Sequence, residues 1–460
     1  TYLKYVDGDL SLNNFIKHAI KMNWINLDNL DVEDSYLSTG ETYNLIRKHI
    51  IKDIKKNTSF GKLVVKYRIF DSTISGSQIC MLLYDQGVLE KDERTYNLLS
   101  THDSYQTYQF LIKQIKTLKI TPAQIALDPC SGSVVMTDPN TGNVRAMVTY
   151  PSYDNNMLSG TVDPEYWAKL IDDQSDPLYN RATQGSSAPG STFKMSVAMA
   201  VLEEGIISPY TTVNATGKFE KIKPSPKCWI YPKGTHGNID VMGAIAHSCN
   251  YFFYEMGYQL GKSNGTEYDS SVGLEKMEKY ATKLGLNMRS GVEITERDPH
   301  FSTESAVHSA IGQGSNAYTP AQLARYVSTL ANGGKNYSLT LIDKVNSRKG
   351  KLVYKNKAKL SNTVKASSST WNAIHTGMRE VITKGTVRNF FTDTKIAIAG
   401  KSGTAQENKH RNSHAVFVAY APYNDPEVGV SVFIPFGNSS HDSAELAKNS
   451  IQYFYGELKD

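Results

Sequence analysis

The sequence predicts an α+β protein in which a central antiparallel sheet is covered by helices, preceded by a separate N-terminal α+β unit. Three observations predict it. The chain's 460 residues exceed what one ordinary core organises and suit two or three packed units. At Asp128-Pro129-Cys130-Ser131-Gly132 the pattern changes and a strand-turn-strand signal begins. Strand-like runs then occupy both ends of the remaining chain, with helical patterns between them. We therefore expect domains at 1–127 and 128–460.

The first domain combines amphipathic helical stretches, such as Tyr43-Asn44-Leu45-Ile46-Arg47-Lys48-His49-Ile50-Ile51, with short apolar runs. It holds no grouping of a nucleophile with a base, so a structural or partner-binding role is expected. The second opens with strands Ser133–Thr137 and Val144–Val148 around the turn residues Asp138-Pro139-Asn140-Thr141-Gly142-Asn143. Helices are expected at about Thr192–Glu204, Val241–Gly261 and Ala321–Asn332. Three strands follow at Thr394–Ala399, Ala415–Tyr420 and Val428–Pro435, then a last helix near Ser443–Tyr455.

Composition sets outer limits. Hydrophobic residues make up 40% and charged residues 21%, as in soluble globular proteins. The formal charge of +5 reads as spread along the chain without a long basic run, which is too mild to argue for nucleic acid. No window approaches the roughly 18 apolar residues of a membrane span. The opening Thr1-Tyr2-Leu3-Lys4 has neither Met nor a signal-peptide pattern, so we expect a chain trimmed of any anchor. Four cysteines are too few for a disulfide framework in a chain of this length.

Three short segments carry chemistry. In Gly190-Ser191-Thr192-Phe193-Lys194-Met195, a serine opens an apolar helical pattern, where free N–H groups favour developing negative charge. Lys194 lies three residues on and shares its helical face, so it can act as base toward a Ser191 nucleophile if burial and a second cation disfavour its charged form. Taken alone, the pattern marks a serine N-cap with a solvated lysine far more often than a catalytic pair. The second segment, Ala246-His247-Ser248-Cys249-Asn250, places Ser248 and Asn250 on a short loop between helices. There Ser248 can relay a proton and Asn250 can hold a substrate backbone, although a polar helix break would look the same.

The third segment, Gly400-Lys401-Ser402-Gly403-Thr404-Ala405, follows a strand pattern and reads as an edge against which a peptide can lie. Lys401 supplies the second cation, Ser402 and Thr404 suit a substrate carboxylate, and Gly403 permits close backbone approach. The backbone N–H groups of Ser191 and Thr404 would form an oxyanion hole. An exposed turn is the bland alternative for this segment by itself. Ser-x-x-Lys, Ser-x-Asn and Lys-[Ser/Thr]-Gly, in that order, form the set named for penicillin-binding proteins and class A β-lactamases.

The chain resembles the class B penicillin-binding proteins, the monofunctional transpeptidases that cross-link peptidoglycan, over roughly residues 128 to 460. Beyond the triplet, the matching segments are Gly132-Ser133-Val134-Val135 with Asp138-Pro139, Tyr150-Pro151-Ser152-Tyr153-Asp154, and Ile311-Gly312-Gln313-Gly314 before Thr319-Pro320. Leu83-Tyr84-Asp85-Gln86-Gly87-Val88 is similar to the elongation-type group, penicillin-binding protein 2, with sporulation and division paralogues left open.

The resemblance implies the penicillin-recognising serine transpeptidase fold on an N-terminal pedestal of the dimerisation kind. It implies a D-alanyl-D-alanine stem-peptide donor, acylation by β-lactams, and glycosyltransferase and cell-wall assembly partners engaged through the N-terminal domain. It also implies an anchor at the extracytoplasmic face of the bacterial membrane. The rival functions are a D,D-carboxypeptidase, a β-lactamase, and a β-lactam sensor or idle scaffold. Glu203 and Glu204 follow the nucleophile on its helix, but no segment resembles the lactamase acidic loop.

The chemistry requires no cofactor. Cys228, His236, Asp240 and Cys249 nevertheless fall within about two dozen residues and can complete a tetrahedral structural zinc site, with His247 as a substitute ligand. Two alternatives remain open. One is a Cys228–Cys249 disulfide. In the other, Cys249 fills the core, Asp240 caps the helix starting near Val241, and His236 hydrogen-bonds locally.

Overall fold

The computed structural model describes residues 1–6, 9–25, 38–71, 73–90, 92–117, 119–120, 125, 131–173, 175–262, 267–406 and 412–458. The chain divides into two compact units, Thr1–Pro129 and Cys130–Asp460. No helix among the described residues is long and apolar enough to cross a membrane.

The first unit contains α1 (Tyr2–Val6), α2 (Leu12–Lys21), α3 (Thr39–Lys56), α4 (Thr58–Phe70), α5 (Gly76–Asp85), α6 (Glu93–Ser100) and α7 (Ser104–Lys116). The amphipathic pattern at Tyr43–Ile51 lies within α3, which begins at a capping box. Ser38 Oγ accepts from the Glu41 N–H at 3.3 Å, and Glu41 Oε2 accepts from the Ser38 N–H at 2.9 Å. Helices α5 to α7 enclose a small core around Cys80, Leu83 and Leu99. Strands were expected beside helices here; the described residues of this unit hold helices alone, and its short apolar runs form helix faces.

The second unit opens with the hairpin β1 (Gly132–Thr137) and β2 (Val144–Tyr150). Asp138 closes its turn, donating its N–H to Asn143 O at 2.8 Å and pairing its carboxylate with Arg145 at 2.7 Å. Next come α8 (Pro164–Asp172), α9 (Lys194–Glu203), and the short pair β3 (Val213–Ala215) and β4 (Gly237–Ile239). Helices α10 (Val241–Ala246), α11 (Asn250–Leu260), α12 (Ser270–Lys283), α13 (Ala306–Ser309) and α14 (Pro320–Ala331) follow. Four short strands then build two small antiparallel sheets: β5 (Lys335–Tyr337) pairs with β8 (Leu360–Thr363), and β6 (Lys344–Asn346) with β7 (Leu352–Lys355). The chain ends with α15 (Ser368–Thr383), β9 (Ala399–Ala405), β10 (His414–Ala421), β11 (Val428–Ile434) and α16 (Ser440–Phe454).

The main sheet has the order β2-β1-β11-β10-β9, antiparallel throughout. Every residue of β10 is buried, as a strand covered on both faces requires. Helix α14 packs on β1 and β11 and is buried over its whole length; α16 packs on β9, β10 and β11. The strand expected at Thr394–Ala399 begins later, at Ala399, and carries the Lys401–Thr404 segment inside it. The reason is local. Thr394 Oγ1 and Lys395 N–H donate to the Glu457 carboxylate, and Ala397 O accepts from Tyr423 N–H, so this stretch is tied down before ladder pairing starts.

Candidate active site

Ser191 lies in a 3₁₀ turn, Gly190–Phe193, that runs directly into α9. Residues Lys194 through Val201 of α9 are all buried, because apolar side chains occupy every side of the helix and only Lys194 and Ser196 among these eight are polar. The core therefore takes Lys194 with it, and its side chain is 0% exposed.

Two glycines let this turn meet β9. Gly190 has φ +53°, and a Cβ there would stand 2.5 Å from Thr404 O. A Cβ on Gly403 would stand 2.6 Å from Pro189 O. The Gly403 backbone thus approaches the turn carrying the serine. Ser191 and Thr404, expected to supply the two oxyanion-hole N–H groups, belong to touching segments. Strand β9 is an edge of the main sheet, with β10 on one side.

The second segment is the break between α10 and α11. Ser248 sits there with φ +54°, a left-handed conformation that costs a residue with a Cβ of order 1–3 kcal/mol and marks a held geometry. Two sulfurs hold the loop: Cys249 Sγ accepts from Phe252 N–H at 3.4 Å as the α11 N-cap, and Cys228 Sγ accepts from Asn250 N–H at 3.3 Å.

Two buried lysines converge on this loop. Lys194 Nζ donates to Ser248 O at 3.0 Å and Asn250 Oδ1 at 2.7 Å, and lies 3.3 Å from Ser248 Oγ. Lys401, also 0% exposed, reaches the same Ser248 Oγ at 3.0 Å and donates to Ser402 O at 2.9 Å. Burial pulls the Lys194 ammonium down to about 8. Burial, followed by the Lys194 charge, holds Lys401 well below the usual lysine range. The Phe253 ring lies 5.3 Å beneath Lys194 Nζ. Among the described residues no hydrogen bond joins Ser191 Oγ to Lys194 Nζ.

Such an arrangement can move protons. With two lysine nitrogens against the lone pairs of Ser248 Oγ, the serine's own proton is directed elsewhere. A neutral Lys194 keeps one lone pair for a proton from a neighbouring hydroxyl. Ser402 is buried on β9 with its Oγ 3.2 Å from Thr386 Oγ1, while the Thr404 side chain is exposed.

Sequence reasoning assigned no role to Thr386, Gln313 or Phe253. Thr386 follows Gly385, whose Cβ would stand 2.2 Å from Ala246 O at the end of α10. Gln313 Nε2 donates to Thr404 O at 3.3 Å. The Ile311–Gly314 segment was the only signal for Gln313; Phe253 and Thr386 had none beyond adjacency to Asn250 and a glycine.

The cysteine cluster gathers three of the four expected ligands. Cys228 Sγ, His236 and Cys249 Sγ offer donor atoms within 4.8 Å of one another, with Cys228 Sγ 3.6 Å from His236 Nδ1. Cys228 and Cys249 are free thiols. The S–H of Cys249 and the nearby imidazole hold the Cys228 thiol low, while sharing its proton pushes Cys249 up. Asp240 is not part of this group: its Oδ1 accepts from Gly243 N–H at 2.8 Å as the α10 N-cap, so the capping alternative describes it. The His247 ring centroid stands 6.4 Å from that of His236, and His247 is outside the group as well. Two buried sulfurs and a half-buried imidazole, close together, are a donor set that fits zinc.

Comparison with known proteins bears on the serine and the two lysines rather than on the cysteine cluster. The family profile "Penicillin binding protein transpeptidase domain" matches residues 132–452. The chain is 31% identical over 369 residues to the "Peptidoglycan D,D-transpeptidase MrdA" of Haemophilus influenzae, covering 72% of this chain and 54% of that protein. It thus spans about half the length of that curated relative. Among solved structures, the "Complex between Penicillin-Binding Protein (PBP2) and MreC from Helicobacter pylori" matches at 27% identity with a TM-score of 0.60, covering 72% of this chain and 61% of that one. An imipenem acyl-enzyme of "penicillin-binding protein A from M. tuberculosis" matches at 25% identity with a TM-score of 0.61, covering 70% and 73%.

Proposed function

The chain belongs to the penicillin-binding protein transpeptidase family, and from that premise we propose that it is a peptidoglycan D,D-transpeptidase working through a Ser191 acyl-enzyme. One observation carries the reading: two fully buried lysines meet at Ser248 Oγ beside the turn that bears the serine. Neutral Lys194 takes the Ser191 proton as Oγ attacks the penultimate D-alanine carbonyl. The backbone N–H groups of Ser191 and Thr404 receive the oxyanion. The proton passes from Lys194 through Ser248 to the departing D-alanine nitrogen, and the C–N bond breaks. An amine from a neighbouring stem peptide then attacks the ester, gives up a proton by the same route, and restores Ser191. Ser402 and Thr404 receive the donor's terminal carboxylate, Lys401 supplies the second lysine nitrogen at Ser248 Oγ, Asn250 holds the donor backbone, and the β9 edge supports it as an added strand.

The glutamates behind the nucleophile are occupied. Glu203 Oε1 accepts from Ser367 N–H, Ser367 Oγ and Thr370 Oγ1 at the start of α15, and Glu204 pairs with Lys279 and Tyr280. Neither supplies a base for rapid deacylation, which supports transfer over β-lactam hydrolysis.

Cys228, His236 and Cys249 hold a structural zinc in this reading. The ion would fix the first turn of α11 and hence Ser248 and Asn250. Placement at the extracytoplasmic face of the membrane, an elongation role, and partners such as the MreC bound by the Helicobacter pylori relative belong to the same proposal.

Intact mass after treatment with benzylpenicillin tests it. A stable penicilloyl adduct on the native chain and none on Ser191→Ala is expected; release of D-alanine without cross-linked product in the presence of an amine acceptor would overturn the transfer step.

A further inference from the structure

The formal charge is not evenly spread. Residues 344–359 (Lys-Val-Asn-Ser-Arg-Lys-Gly-Lys-Leu-Val-Tyr-Lys-Asn-Lys-Ala-Lys) carry seven cations and no acid, against a net +5 for all 460 residues. This one segment therefore exceeds the whole chain's net charge, and the rest is slightly acidic. The structure folds it into the β6–β7 hairpin and the stretch after it.

The hairpin stands out from the core. All seven cations are exposed, and none forms an ion pair among the described residues. It is closed at its tip by Ser347 N–H to Lys351 O at 2.7 Å and at its base by Asn356 N–H to Asp343 O at 2.7 Å. Its apolar residues find no cover either: Val345 is 45% exposed, Leu352 52%, Val353 67% and Tyr354 49%. Val345 pairs across the ladder with Tyr354, so these two share one face, and Lys344 pairs with Lys355 on the other.

A soluble surface strand normally alternates apolar inside with polar outside. Here the apolar side chains have no inside. Exposed apolar side chains ringed by unpaired cations suit a surface that is anionic and apolar at once, which is the headgroup and acyl boundary of an acidic bilayer. A soluble polyanion would use the cations and leave Val345, Leu352, Val353 and Tyr354 in water.

We propose that the β6–β7 hairpin docks this domain onto membranes rich in anionic phospholipid, with Arg348, Lys349 and Lys351 at its tip on the phosphates and Leu352, Val353 and Tyr354 against the acyl boundary. The inference stands apart from the transpeptidase reading and does not depend on it.

Flotation of the whole chain with vesicles tests it. Vesicles of phosphatidylglycerol and phosphatidylcholine should carry the protein, and pure phosphatidylcholine vesicles should not. Each removed cation is expected to weaken partition about fivefold, so a variant with Arg348→Gln, Lys349→Gln and Lys351→Gln should lose roughly a hundredfold, near the limit of detection. Leu352→Ser with Val353→Ser should lower binding while leaving its charge, and penicillin acylation should be unchanged in both variants. Equal flotation of the charge variant, or binding to a soluble polyphosphate with no flotation, overturns the proposal; the latter would assign the hairpin to a polymer.

Discussion

Lys194 Nζ donates to Asn250 Oδ1 at 2.7 Å, joining the proposed base on α9 to the amide that opens α11. This contact uses an uncharged oxygen, so it orients the amine without holding it protonated. Asn250→Asp replaces that oxygen by a carboxylate at the same place, which favours the ammonium. We expect acylation near neutral pH to fall by about tenfold or more and its pH midpoint to move upward by at least one unit. Stopped-flow acylation by a chromogenic cephalosporin across pH measures both; an unchanged midpoint would separate Asn250 from the base.

For the native chain, the Lys194 value of about 8 sets the direction of the profile. Neutral amine accumulates as pH rises through that value, so the acylation rate should climb below it and level off above. The stability sign follows from linkage. The folded lysine releases its proton near 8 and the unfolded one nearer 10.4, so between those values the unfolded state binds more protons and native stability gains with pH. Below 8 the term is flat and unfavourable to folding. Relative to Lys194→Met, the native chain should gain up to about 1.4 kcal/mol per pH unit in that window, read by denaturant unfolding of both at each pH.

Gly403→Ala should be costly for reasons unrelated to substrate. Its Cβ would stand 2.6 Å from the Pro189 carbonyl, a backbone atom with no rotamer to yield. A loss of about 1–3 kcal/mol in unfolding free energy is expected, together with slower acylation as Ser191 shifts against Thr404. A variant of native stability and native rate would show that the two segments separate freely.

Metal content separates the cluster from its neighbour. Zinc measured on the purified chain should be near one per molecule, fall on Cys249→Ala or His236→Ala, and stay unchanged on Asp240→Ala. The last should cost only the helix cap, about 1 kcal/mol. A chelator should lower the melting temperature of the native chain and not of Cys249→Ala. Zinc lost with Asp240→Ala would place the carboxylate among the ligands.

Glu203→Gln tests the occupancy of the acidic pair. The carboxylate caps the start of α15 through Ser367 and Thr370, so the variant should be less stable while the penicilloyl adduct lasts as long as in the native chain. A longer-lived adduct would assign Glu203 to deacylation.

The order of the three segments made the site legible before any coordinates, because each needs only local spacing. What lay outside local spacing was lost. Asp240 looked like a ligand because a carboxylate directly before a helix suits a metal and a cap alike, and only the 2.8 Å contact to Gly243 distinguishes them. The start of β9 was misplaced because Thr394 to Ile398 alternates as a strand does, while Glu457, more than fifty residues away, claims its polar groups. Thr386 reaches Ser402 through the fold alone. The cationic hairpin escaped notice because charge averaged over the whole chain hides a local excess.

The contact between Gly190 and Thr404 also limits how this protein can diversify. At Gly190 and Gly403 the Cβ of any other residue meets a carbonyl oxygen at 2.5 or 2.6 Å, so every substitution there must displace backbone at the site. Lineages that come to prefer a different acylating ligand must change at positions outside that contact. Thr404 is exposed at the β9 edge, and Trp229 is 59% exposed with its indole N–H on the His247 carbonyl beside Ser248. Divergence in ligand preference among descendants should therefore be written in side chains such as these, around a backbone junction that they inherit unchanged.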